Sequence, residues 1–487
     1  MSQSTRQSET ESACEWARET ASAPTIEPSS LNLPPQVELD STAQTLAWQA
    51  QPLRLMRDCA QRYGDAFTLN LGSHGTYVMF SAPEAIRSIF TAGDDVLYAG
   101  RGNRVLKPLL GAHSLLLLEG ERHIRERRLL LPGFHAQAIE RHAGLIQRAA
   151  LEVMADVGAN NFAAGEAVAV QPLMQAISVR VILQAVLGIQ SGARFDALSA
   201  QIQRVLNDSK LSLGLLDHLQ NELASPAWQA LRGALRNIDE LLLQEVALRR
   251  VGKRAEQGHV LKMGGDLLDT LLAATGEDGM ALDDVALRDE LMTLIVTGYE
   301  TTATALAWTF YWLARTPAAL ECLKRELAPL GRHPAPAGLA QARYLHAVCQ
   351  ETLRIHPIIP VVAREVQSPL AIQNYTLPAG VTVAASIYLA HHRPDAFPDS
   401  GAFSPERFLH GQPSPWEYLP FGGGVRRCIG MTLALFEMKI VLGSILANYE
   451  VAPLAHELRP VRRFVTLAPE GGAKVWIRRI PDSWTSI

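Results

Sequence analysis

The chain has 487 residues, 48% hydrophobic and 19% charged, enough to bury a large core, and its formal net charge of −4 gives no support for nucleic-acid binding. Five scattered cysteines (Cys14, Cys59, Cys322, Cys349, Cys428) make neither a disulfide framework nor a zinc spacing and fit a reducing compartment. Residues 1–38 carry Ser, Thr, Glu and Pro without an apolar signal core, and no run reaches about 18 apolar residues; a disordered tail over 1–38, no membrane anchor and a cytoplasmic location are the expectations.

In chain order, residues 46–63 place Leu46, Leu53, Leu55, Met56 and Cys59 at helical spacing. Two β-runs, 66–71 and 76–80, joined by Gly72-Ser73-His74-Gly75, predict a hairpin, and Pro83 opens a short helix. Residues 98–119 are rich in glycine and leucine without a regular period, which suits a mobile lid or pocket wall. In the basic helical stretch 120–131, His123 and Arg127 are four apart and share a face. Two donors so placed suit either a solvated charged face or a clamp on paired carboxylates. From 136 to 250 the pattern is helix after helix (145–157, 173–187, 231–248), and 252–265 reads as a polar surface loop.

Asp283 or Asp284 caps a helix running to Arg315, where Thr316-Pro317 ends it. That is roughly 45 Å of helix. Its middle, Thr297-Gly298-Tyr299-Glu300-Thr301-Thr302, sets a glycine, an acid and hydroxyls into an apolar stretch. Gly298 costs about 1 kcal/mol against alanine; it either makes a close helix contact or permits a bulge with room for a small molecule. A helix over 344–356 puts Glu351 and Arg354 on one face, as an exposed pair or as part of a buried cluster. Strand-like pieces (370–372, 382–385), a proline-rich meander (393–405) and a strand and turn (463–469) follow.

The segment from Pro420 to Ala434 centres on Cys428, with Gly422, Gly423 and Gly424 before it and Gly430 after it, then an apolar helical pattern to about 449. Glycines let amides turn toward the sulfur. A helix N-terminus and Arg426 and Arg427 favour thiolate. By residues alone this is a structural cysteine beside a glycine turn, or a soft metal ligand on one face of a flat cofactor with Phe421 against the sulfur. A phosphate cradle would need a following Lys-Ser or Lys-Thr, which is absent.

The spacing Phe421-x-x-Gly424-x-Arg426-x-Cys428-x-Gly430 resembles the haem-binding loop of cytochromes P450. Gly298-x-Glu300-Thr301-Thr302, Glu351-x-x-Arg354 and Pro405-Glu406-Arg407-Phe408 resemble further segments of that family in the right order. The similarity spans about residues 40–487. It implies one domain over 39–487, mainly α with a smaller β-rich region, holding haem b between the long helix and the cysteine loop. It also implies Cys428 as axial iron ligand, with His123, Arg127, Gly298, Arg364, Pro420, Phe421, Gly422, Arg426, Ile429, Gly430 and Ala434 around the cofactor.

By the same resemblance Thr301 stabilises bound dioxygen and Glu300 helps deliver protons. Leu115, Leu116, Ile295, Val361, Val362, Thr466 and Leu467 border the substrate, while Glu351, Arg354 and Arg407 form a structural ion cluster. Thr297 stands where the family more often has Ala or Gly, which narrows the pocket roof, and 206–226 is a lid by analogy. The implied activity is monooxygenation of an apolar small molecule such as a fatty acid or terpenoid. No Rossmann fingerprint is present, so electrons come from outside, from a ferredoxin-type donor with its reductase docking near Arg426, Arg427 and Arg122. A monomer is expected. The alternatives are a thiolate-haem isomerase or peroxygenase, against which Glu300-Thr301 argues, and a non-enzymatic haem sensor.

Overall fold

The computed structural model describes residues 32–480 except 94, 159–166, 190–191, 208–225, 256–265, 274–281, 455–456 and 464. The expected tail up to residue 31, nearly all of the expected lid, and the expected loop beyond Ala255 lie outside the described residues. Sheet pairing begins before residue 39. The Val37 amide donates to the Thr68 carbonyl, and the Thr68 amide to that of Pro35.

The single helix expected over 46–63 is two, Ser41–Ala50 and Pro52–Tyr63, because Pro52 has no N–H to carry the ladder across. The hairpin follows as β1 (Ala66–Asn70) and β2 (Thr76–Phe80), then a helix at Pro83–Thr91 and β3 (Leu97–Tyr98). The basic stretch is α1 (Gly120–Leu130). Next come α2 (Ala143–Gly158), β4 (Ala167–Ala169), α3 (Val170–Leu187) and two further helices, Ala193–Asn207 and Pro226–Ala255. The long helix is α4 (Asp284–Arg315), followed by α5 (Arg343–Ile355), β5 (Val361–Val366) and β6 (Thr382–Ser386). The C-terminal part holds α6 (Met431–Leu446), β7 (Tyr449–Pro453), β8 (Pro460–Arg463), β9 (Thr466–Pro469) and β10 (Lys474–Arg479).

The main sheet has the order β1-β2-β6-β5-β3, with β2 and β6 parallel and the other pairs antiparallel. A second sheet runs β4-β10-β7. The strand expected over 463–469 is instead the return arm of the β8–β9 hairpin. Among the described residues α3 alone is long and apolar enough to cross a membrane, and most of it is buried inside the fold.

The Asp283 carboxylate accepts the Ala286 amide at 2.7 Å and starts α4. This helix changes partners halfway. Leu287 to Tyr299 pack into an aliphatic cluster with Leu115, Leu183 and Ile238, while Ala303 to Ala314 pack into the larger core with α2, α5 and α6. Glu300, Thr301 and Thr302 sit at the changeover, so the polar residues fall where neither apolar core claims the helix.

Candidate active site

The cysteine loop is shaped by two glycines that no other residue replaces cheaply. Gly422 and Gly424 have φ of +68° and +65°, in the left-handed region. A Cβ on Gly424 would lie 2.2 Å from the Phe90 carbonyl oxygen. The loop closes on itself where the Cys428 amide donates to the Phe421 carbonyl at 3.0 Å. Pro420 and Phe421 open it, Phe421 packing against the large core. Ile429 packs against the aliphatic cluster of α4, and the Ala434 amide donates a hydrogen bond to the Gly430 carbonyl at 2.8 Å in the first turn of α6.

Cys428 is accessible, yet protein surrounds it closely enough for burial to push its thiol up; it lines a recess, not the outer surface. The Gly430 and Met431 amides and the charges of Arg127 and Arg427 pull the other way. The expected donors are present, but burial outweighs them, so the sulfur ionises when a cation binds it.

Four cationic or donor side chains converge beside this recess. His123 is 2% exposed and its Nδ1 is buried without a hydrogen-bond partner. Burial and the nearby Arg426, Arg127 and Arg364 guanidiniums push its imidazole down to about 3. Arg127 donates to the Arg427 carbonyl at 2.6 Å, Arg426 pairs with Glu119 at 2.7 Å, and Arg364 is 7% exposed over the Phe90 ring. A buried donor without a partner amid three guanidiniums is a setting for carboxylates. With a soft sulfur in the same recess, the donor set fits haem, whose two propionates supply them.

In the buried middle of α4, Val296, Thr297, Gly298 and Thr301 remain partly exposed. The Thr301 hydroxyl donates to the Thr297 carbonyl at 2.6 Å, and the Thr297 hydroxyl to that of Thr293 at 2.6 Å. The helix stays regular through Gly298, so the bulge is absent; the glycine is needed because a Cβ would meet Ile182 Cδ1 of α3 at 2.6 Å. Glu300 is buried, and its partners come from α3, from the next turn of α4 and from β8. Gln175 donates to it at 2.8 Å, Gln171 at 3.2 Å and Thr304 at 3.3 Å, with Arg463 Nε 3.5 Å away. Burial pushes this carboxyl up, against the pull of Arg463 and those donors.

Leu115, Leu116 and Ile295 share one aliphatic cluster. Val361 and Val362 do not share a cluster: the first packs with the helix Pro52–Tyr63, the second with the helix Pro83–Thr91, as neighbours on a strand must. Thr466 and Leu467 are buried on β9, where the Leu467 carbonyl accepts the Trp308 indole at 3.0 Å. That lies seven residues beyond Thr301, roughly 10 Å along the helix.

Glu351 and Arg354 are fully buried, paired at 2.7 Å, with Arg407 Nε 3.3 Å from Glu351. Backbone carbonyls of Ser400 and Ala402 accept from Arg354, and those of Pro398 and Asp399 from Arg407. Sequence reasoning missed Glu119, which accepts the Ala99 and Arg101 amides as well as Arg426, and Arg463. Glu119 thereby ties the two ends of residues 98–119 to each other. Arg426 points into the fold, leaving Arg427, Arg122, Arg125 and Arg128 on the surface nearby.

A family model described as Cytochrome P450 matches residues 34–475. Cytochrome P450 135B1 of Mycobacterium tuberculosis is 37% identical over 461 residues, 93% of this chain and 93% of the relative. Cytochrome P450 137 of the same species is 30% identical over 445 residues, 90% of this chain and 88% of the relative. The solved structure of retinoic acid bound cyanobacterial CYP120A1 superposes with a TM-score of 0.76 at 23% identity, covering 93% of this chain and all of that one, and shows the same fold.

Proposed function

Because this chain belongs to the cytochrome P450 family, and is thus an oxygen-incorporating oxidoreductase fed by an external redox partner, we propose that it hydroxylates an apolar small molecule, of fatty-acid or terpenoid type, with electrons from a ferredoxin. The observation that carries this reading is the Cys428 sulfur with His123 and three guanidiniums converging beside it, Arg426 reaching the carbonyl of Leu115 in the aliphatic cluster that α4 joins. Haem b is the form proposed, since the chain offers no Cys-x-x-Cys-His for covalent attachment.

When bound, haem with a thiolate ligand supplies the activation of dioxygen; the chain supplies the rest. Cys428 holds the iron, and His123, Arg127, Arg364 and Arg426 orient the cofactor by its carboxylates. Leu115, Leu116 and Ile295 desolvate the substrate and exclude water from one wall. Thr301 keeps its hydroxyl proton on the Thr297 carbonyl. Glu300 is the acid that supplies protons toward Thr301, with the partly exposed Arg463 beside it as a fixed positive charge. The exposed arginines of α1 and Arg427 offer an acidic partner a docking face on the sulfur side. A monomer working in the cytoplasm completes the reading.

A panel of fatty acids, terpenoids, sugars and charged metabolites titrated into the haem-loaded protein tests it. Apolar compounds should shift the Soret band and be hydroxylated on adding ferredoxin, reductase and NADPH. Shifts confined to sugars or charged metabolites would overturn the apolar pocket. Isomerised product without oxygen uptake would overturn the oxygenase.

A further inference from the structure

His391 is fully buried between the ion cluster and the cysteine loop. Its Nδ1 lies 3.1 Å from the Arg354 carbonyl, which can only accept, so Nδ1 carries the proton. Its Nε2 accepts the Leu419 amide at 2.9 Å. The His391 carbonyl in turn accepts from Arg354 Nη1 at 3.0 Å, and the ring stacks on Tyr418 with centroids 5.3 Å apart. From Leu419 the path is short. Its carbonyl accepts the Gly422 amide at 2.9 Å, and the Phe421 carbonyl accepts the Cys428 amide.

We infer that His391 is a positioning residue: one neutral imidazole couples the Glu351–Arg354–Arg407 cluster to the loop that presents Cys428, through its acceptor nitrogen on Leu419. The inference rests on the reading of Cys428 as the haem ligand. A buried amide that loses its acceptor is left unsatisfied, so the loop would loosen while the cluster behind it stays paired. The two nitrogens can be tested apart. His391→Asn keeps a donor where Nδ1 stands and loses the acceptor. His391→Gln puts an amide oxygen near Nε2 and loses the donor.

Haem-loaded full-length protein is reduced, exposed to carbon monoxide and held in mild urea, and the decay of the red-shifted thiolate band is followed. The Asn variant should lose the band about tenfold faster than wild type, the scale of one buried hydrogen bond, and the Gln variant should stay within about twofold. Each variant lacks one buried bond, so a residue that merely stabilises the fold would make the two decay alike. Equal decay, or wild-type decay in both, overturns the inference. Should the Asn variant not load haem, hydrogen exchange at the Leu419 amide of the Gln variant decides: protection kept supports the inference and protection lost overturns it. Failure of the underlying reading looks different, since wild-type protein would then show no red-shifted band at all.

Discussion

Behind the cysteine loop, charged groups are answered one by one. Arg354 reaches both Glu351 oxygens and the carbonyls of His391, Ser400 and Ala402, and Ser404 returns its amide to Glu351. Across the recess, the first half of α4 meets Leu115 and Leu116 mainly through aliphatic side chains, with the Thr293–Ser114 and His113–Asp289 hydrogen bonds beside them. Hydrogen bonds are directional, so the first region admits one residue type at each position. Aliphatic packing asks mainly for volume, so the second admits many. The side proposed to hold the cofactor is therefore specified, and the aliphatic side proposed for the substrate is open to change.

The largest test of that contrast is Cys428→Ser. It should abolish the red-shifted ferrous carbon monoxide band and all oxygenation; a retained band would move the iron ligand elsewhere. Glu351→Gln comes next. It leaves two arginines facing a neutral amide inside the fold, at a cost of roughly 3–5 kcal/mol. The midpoint of urea unfolding of the holoprotein measures it, and a loss under about 1 kcal/mol would mean that the cluster is not what holds this side. Thr301→Ala, on the other side, should leave haem loading and the thiolate band unchanged. Oxygen uptake would continue with most of it released as peroxide, and turnover still coupled to product would remove Thr301 from the proton route.

The same contrast explains what could be read from residues in a row. The cysteine loop was legible because two left-handed glycines, a sulfur and an arginine must stand at set intervals on one short segment. The long helix was legible from Asp283 and Thr316-Pro317 at its ends. Gly298 allowed two readings because its reason, the Cδ1 of Ile182, lies on another helix. Glu119 and Arg463 left no local pattern, since their partners are distant in sequence. Val361 and Val362 read as one surface only if the alternation of the strand is ignored. Substrate identity stayed illegible for the reason that makes the α4 wall tolerant: aliphatic residues carry volume and little else.

Glu290 gives the last test, of how dry that wall is. It lies on the first half of α4, is 1% exposed, and neither carboxyl oxygen makes a hydrogen bond of ordinary geometry. Burial, then Glu126 and Asp289, push it up from 4.5 to about 9, against the pull of the Leu115 amide. Between those values the fold holds a proton that the unfolded chain has released, so stability falls as pH rises through the window and levels off above it. Glu290→Gln removes the difference. The variant should therefore melt higher than wild type near pH 8, with the gap closing near pH 4, while Glu437, pushed up to about 8 by burial, keeps a residual slope of the same sign. Melting curves across that range read the result. A variant whose slope matches wild type would mean that Glu290 is ionised in the fold, and a buried ionised carboxylate needs water or a cation beside it.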